Sequence, residues 1–139
     1  MASNLQYSEA VRNAQLDAIT AAIGTGGLLR IYSGAVPANV AASLGTAVQL
    51  AELPCSSPFA SAASGGVLTV STLTDDPIAD ATGTPSFFRV YQSDGTTAVV
   101  QGSVGASGCD INLTGLSGGQ VTASGSVSVS SLTLTALNS

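Results

Sequence analysis

The chain has 139 residues, enough for one domain that buries its own core. Of these 45% are hydrophobic and only 8% charged, against roughly 25% charged in an ordinary globular protein, and the formal net charge is −5. With Arg12, Arg30 and Arg89 as its only cations, far apart in sequence, the chain lacks the clustered positive charge that binding to nucleic acid or to an anionic membrane requires.

Residues 1–7 carry neither the basic nor the apolar region of a secretory signal, and no run approaches the length of a membrane-spanning helix. The expectation is a chain made in the cytosol that stays soluble or assembles there. Residues 8–23 read as the one helix. Ser8 can cap it, Glu9 lies in the first turn where the helix dipole favours an anion, and Gly24 follows as the stop. Val11, Ala14, Ala18 and Ala22 form one apolar stripe and Leu16, Ile19 and Ile23 an adjoining one, so the helix can cover its own sheet or dock on a neighbour.

After the glycine-rich turn 24–27, residues 28–32 (LLRIY) read as a strand ended by Ser33-Gly34. Residues 35–45 show no period. Residues 47–53 (AVQLAEL) alternate as a strand, with Val48, Leu50 and less cleanly Glu52 on one face, and a helical turn as the competing reading. Pro54 and Pro58 bracket Cys55, and Phe59 is expected to anchor that loop. A strand follows over 67–73, with Leu68, Val70 and Thr72 opposed to Val67, Thr69, Ser71 and Leu73. A polar loop over 75–86 then carries Asp75, Asp76 and Asp80.

The central element is the hairpin over 87–105, FFRVYQSDGTTAVVQGSVG, turning at Ser93-Asp94-Gly95. Phe87, Arg89 and Tyr91 point to one face and Phe88, Val90 and Gln92 to the other, so this strand expects cover on both sides. Residues 110–113 read as a short strand, 118–119 as a turn, 120–123 as the start of another strand, and 126–135 as an alternating strand whose phase slips at Ser130-Ser131. The whole is expected to be a single β-rich domain, 1–139. It is mainly β, an antiparallel β-sandwich or barrel of roughly six to eight strands with one N-terminal helix.

The sequence offers little chemistry. Without histidine, the Ser–His, Cys–His and zinc–water mechanisms each lose a required member, and no spaced carboxylate pair replaces them, so no enzyme and no catalytic residue is expected. Asp75, Asp76 and Asp80, helped by Asp94 or Asp110, could in principle ligate Ca²⁺. They match no known loop spacing and read as a solvated acidic loop, so neither metal nor cofactor is expected. Gly24-Thr25-Gly26-Gly27 follows a helix instead of opening one, which makes it a turn and no phosphate cradle. Cys55 and Cys109 read as two buried, unpaired thiols. The candidate partner-binding residues are Arg30, Tyr32, Arg89 and Tyr91, in the similar settings LLRIY and FFRVY. They can grip a partner carboxylate or stack on its aromatics, or else be outward-facing arginines paired with Glu52 or an aspartate.

RNAQLDAITAAIG (12–24), LLRIYSGAVPA (28–38), LAEL (50–53), ASGGVLT (63–69), ATGT (81–84), FFRVYQSDGT (87–96), QGSVG (101–105) and VSVSSLTLT (127–135) resemble, in matching order, a family of small virion structural proteins of tailed bacteriophages and prophages. The family offers no catalytic residues to transfer, and Cys55 and Cys109 stand where small or polar residues are expected. The resemblance implies a virion structural protein, assembled in the host bacterial cytoplasm, and among virion roles the small, acidic, β-rich and weakly charged chain favours a capsid decoration or cement protein on the exterior of the virion. Its implied partners are the major capsid protein or other virion proteins and further copies of itself, gripped through strand edges and small side chains. A tail, fibre or head-fibre component with an adhesin-like or receptor-binding role is the alternative.

Overall fold

In a computed structural model, residues 6–105, 108–113, 119–129 and 132–135 are described. Helix α1 runs over Glu9–Ile23 and begins as its sequence dictates, with Ser8 in extended backbone and its hydroxyl accepting from the Val11 N–H. It stops at Gly24, whose N–H donates to the Thr20 carbonyl. Leu16 and Ile23 are buried and Ile19 packs beside them, so the helix covers its own sheet. The other stripe, Val11, Ala14, Ala18 and Ala22, stays exposed.

The strands are β1 (Leu28–Ser33), β2 (Val48–Pro54), β3 (Val67–Thr69), β4 (Pro85–Tyr91), β5 (Ala98–Gly105), β6 (Ile111–Asn112) and β7 (Thr133–Thr135). Five form a curled sheet in the order β2, β1, β4, β5, β6, antiparallel except for the parallel pair β5 and β6. β3 and β7 make a separate antiparallel ribbon. The chain is therefore mainly β with one N-terminal helix. One layer is the five-stranded sheet; the other is assembled from α1, the ribbon and bridged irregular segments such as Asp76 with Val127 and Gly83 with Val121.

β4 is the middle strand and is covered on both faces. Phe88 and Val90, paired with Ile31 and Leu29 of β1, join the main core with Leu53, Phe59, Leu68 and Ile111. Phe87 and Tyr91 join Tyr32 in a second, smaller cluster on the opposite face, packed by Leu44, Ala47 and Ala98. The turn between β4 and β5 is held by Asp94, which accepts from the N–H groups of Thr96 and Thr97 at 2.9 Å each and from the Thr97 hydroxyl at 2.7 Å. These bonds, the Thr97 and Thr96 backbone donors foremost, hold its carboxyl well below the usual carboxylate range. Gly95, with φ of 70°, takes the left-handed position that this turn needs.

Residues 48–54 are a strand, and the uneven face seen in sequence comes from a bulge. Ile31 pairs with Ala51 but Tyr32 pairs with Gln49, which leaves Leu50 as the extra residue and resets the phase. Ala51 and Leu53 thereby face the core, Glu52 faces the other side, and Val48 is exposed. The strand expected over 67–73 is regular only over Val67–Thr69, after which Val70 bridges Ala60 and the chain bends so that Leu73 also reaches the core. Among the described residues, the strand expected from 120 is reduced to bridges at Gln120 and Val121, and that over 126–135 is regular only at Thr133–Thr135. The phase slip at Ser130-Ser131 lies outside the described residues, as does Gly118 of the 118–119 turn, although Val127, Val129 and Leu132 are buried as alternation requires.

The loop 75–86 is not simply a solvated acidic segment. Asp76 is 9% exposed and turned inward, its two carboxylate oxygens accepting from the N–H groups of Glu52 and Ile78 at 3.0 Å each. With Thr74 N–H donating to the Pro54 carbonyl and Asp80 N–H to that of Leu50, this segment covers the outer edge of β2.

Gly102 on β5 faces the Phe88 ring, which is 1% exposed. A Cβ there would stand 2.5 Å from Phe88 Cε1 and 2.8 Å from a carboxylate oxygen of Asp110. Gly102→Ala is therefore expected to destabilise the fold by about 1–3 kcal/mol in chemical denaturation. A loss under about 0.5 kcal/mol would show that the ring gives way freely.

Candidate functional site

On the face of the sheet opposite the main core, cross-strand pairing lines up Glu52, Arg30, Arg89 and Gln101 over four strands. Alternation puts them there, since each lies between residues committed to the core face: Arg30 between Leu29 and Ile31, Arg89 between Phe88 and Val90. Arg30 Nε donates to Glu52 Oε2 at 2.7 Å, and its Nη1 reaches the Gly95 carbonyl at 2.8 Å. Its guanidinium lies over the Tyr91 ring, 5.0 Å from the centroid, which adds a cation–π contact. Partial burial by itself would lower the Arg30 pKa, but the hydrogen bond and charge of Glu52, aided by Tyr32, raise it above its ordinary value.

Arg89 is 5% exposed and has no carboxylate within ion-pair distance among the described residues. Its Nε donates to Gln101 Oε1 at 2.8 Å, and its Nη2 donates to the carbonyls of Asn39 at 3.2 Å and Ala42 at 2.7 Å. Gln101 in turn donates to the Pro37 carbonyl at 2.9 Å. The segment joining β1 to β2 is thus tied across this face by side chains of β4 and β5. Beside Arg89, Tyr32 stacks on Phe87 with ring centroids 5.0 Å apart, and the Tyr32 and Tyr91 hydroxyls are 2.9 Å apart. Burial, then the bond to Tyr91, push the Tyr32 hydroxyl above the ordinary tyrosine range against the lowering pull of Arg30.

Between this floor, the 40–44 segment and the 95–96 turn lies an open concavity of about 640 Å³. All four candidates taken from sequence, Arg30, Tyr32, Arg89 and Tyr91, line it. Arg30 pairs with Glu52 as one of the two readings expected, whereas Arg89 is neither outward-facing nor paired with an acid, because the 35–47 segment closes over it. Sequence reasoning missed Gln101 and the 35–47 segment. A residue opposite Arg89 on the next strand was the only available signal for Gln101. The segment contributes backbone carbonyls, which leave no mark in sequence.

The other polar groups do not converge. Asp80 accepts from Gln49 Nε2 at 2.8 Å, Asp110 holds the N–H and hydroxyl of Ser103, and Asp76 is used in the fold. Among the described residues no group of three or more His, Cys, Asp or Glu side chains is placed to hold a metal ion. Gly24-Thr25-Gly26-Gly27 is a turn that carries the chain from α1 into β1. Cys55 and Cys109 form no disulfide and are each half-buried. Burial pushes the Cys55 thiol up to about 12, against a weaker hydrogen bond from Leu29, which makes it a poor nucleophile near neutral pH. A second concavity of about 420 Å³, between α1, β5 and β7, is lined by Leu16, Ile19, Phe88 and Leu134 together with Asp110, and no arginine lines it. No described helix is long and apolar enough to cross a membrane. No family profile matches the chain, and comparison with curated proteins and with solved structures gives no match.

The Tyr32 hydroxyl is held un-ionised more tightly in the folded chain than in the unfolded one. Its contribution is complete below the ordinary tyrosine value of 10.0 and is lost as pH rises from there toward the raised folded value. Tyr32→Phe should cost about 1 kcal/mol at neutral pH through the lost bond to Tyr91. It should also flatten the alkaline loss of stability, read as urea midpoints at about pH 8 and about pH 11. Equal alkaline losses in the two proteins would refute the assignment.

Proposed function

We propose that this chain is a structural protein of a tailed-bacteriophage virion, a decoration or cement subunit bound to the outer face of the major capsid shell, where it stabilises the particle. The family resemblance read in the sequence supplies the virion setting. The observation that carries an associating role is the exposed apolar surface: Val11, Ala14, Ala18 and Ala22 run along one face of α1, with Val36, Val48 and Ile78 also exposed. Small apolar side chains let a neighbouring polypeptide approach closely, and a surface with few charges opposes that approach little.

In this reading the subunit acts by binding only the assembled state. Shell-bound copies, themselves a symmetric oligomer, stabilise the lattice by mass action against the pressure of packaged DNA. The contacts are expected through side-chain faces and not through the β2 edge, which residues 74–80 cover. A net charge of −5 with three cations accords with a place outside the shell, away from DNA.

Purified particles lacking the chain should disrupt at lower temperature than complete ones, and adding the purified protein back should restore the difference. Quantitative mass spectrometry of complete particles should find on the order of hundreds of copies, as a repeated shell subunit requires. A handful of copies would move the chain to a tail or fibre, and unchanged heat resistance would end the cement reading.

A further inference from the structure

We propose that the concavity above Arg30 and Arg89 is a binding site for a carboxylate carried by another polypeptide. Two of the chain's three cations stand directly opposite each other on β1 and β4. Like charges so placed repel, and Glu52 compensates only Arg30. Arg89 is left as a nearly buried cation whose described acceptors, Gln101 and the carbonyls of Asn39 and Ala42, are all neutral. A buried charge without a counter-ion is costly, and a guanidinium has five N–H donors, of which those on Arg89 Nη1 meet no acceptor among the described residues. The site thus carries one uncompensated positive charge inside a protein of net charge −5.

The chemistry of the surroundings narrows the anion. A planar carboxylate matches the guanidinium fork, and its single charge balances the single excess charge, whereas a phosphate dianion would overfill it. Leu44, Ala47, Ala98 and the Tyr91 ring supply apolar wall for the aliphatic part of the ligand. About 640 Å³ is far more room than a bare carboxylate occupies and falls in the range that accommodates a drug-sized ligand, here a short peptide segment. The polypeptide source rests on the proposed role as an assembling subunit, while the preference for a carboxylate does not.

The test titrates the full-length protein, followed by calorimetry and by NMR, with five probes. They are an acetylated tripeptide with a free C-terminal carboxylate, its amidated twin without any carboxylate, an amidated peptide with one internal acidic side chain, acetate, and inorganic phosphate. At least one carboxylate peptide should bind about tenfold more tightly than the amidated twin, shift the Arg30 and Tyr32 signals, and weaken as salt rises. Arg30→Gln, at a partly exposed side chain, should reduce that affinity about tenfold with the fold intact, and Arg89→Lys, which keeps the charge but loses the fork, should do likewise. If Arg89→Lys does not fold, Arg30→Gln carries the test. Equal binding of the amidated twin, tighter binding of phosphate, or shifts confined to other surfaces would overturn the site. Acetate binding as tightly as the peptides would overturn the polypeptide occupant, and the virion role is judged separately by particle composition.

Discussion

A strand with bulky side chains on both faces cannot leave either face to water, and β4 is such a strand. Phe87, Phe88, Val90 and Tyr91 are all buried, and Arg89 between them is carried inward as well. Burying side chains of this size contributes about 1.5–3 kcal/mol each, so the fold is organised to roof both sides of one ribbon of chain. The main-core side is roofed by α1, the β3–β7 ribbon and Phe59, and the other by the segment between β1 and β2. The central place of β4 in the sheet follows, because only an interior strand has covered neighbours on both flanks.

The two roofs are built differently. The first is apolar packing among many residues distant in sequence. The second is held largely by polar ties, in which Arg89 and Gln101 donate to the carbonyls of Pro37, Asn39 and Ala42. Segment 35–47 is rich in small residues and has no regular structure of its own, so side-chain donors from the sheet take the place of a backbone ladder. Holding the roof this way leaves a guanidinium satisfied in hydrogen bonds on two of its nitrogens yet unneutralised in charge. The residue that ties this roof to the sheet is therefore also the one that leaves a positive charge beneath the concavity.

The surface is managed with few charges. One flank of the sheet is shielded by the 74–80 segment, where the Asp76 carboxylate substitutes for a strand by accepting from the Glu52 N–H. The exposed stripe of α1 is left unshielded, although the same helix commits Leu16 and Ile23 to the core. A sheet arranged so has its β2 edge protected from unplanned strand pairing while the apolar stripe of α1 stays open to solvent.

Local signals alone determined the helix and its two ends, β1, the hairpin with its Asp94-Gly95 turn, the demand for cover on both faces of β4, and the four side chains that line the concavity. Each depends on residues within a few positions of one another, where capping, alternation and left-handed turn geometry act directly. Only tertiary structure decided the bulge at Leu50, the parallel pairing of β6, the shortening of the strands after Val67 and Val121, the inward turn of Asp76 and the closing of segment 35–47 over Arg89. Those features are settled by partners remote in sequence, and most run through backbone carbonyls and amides, which every residue carries alike and which no residue type can announce.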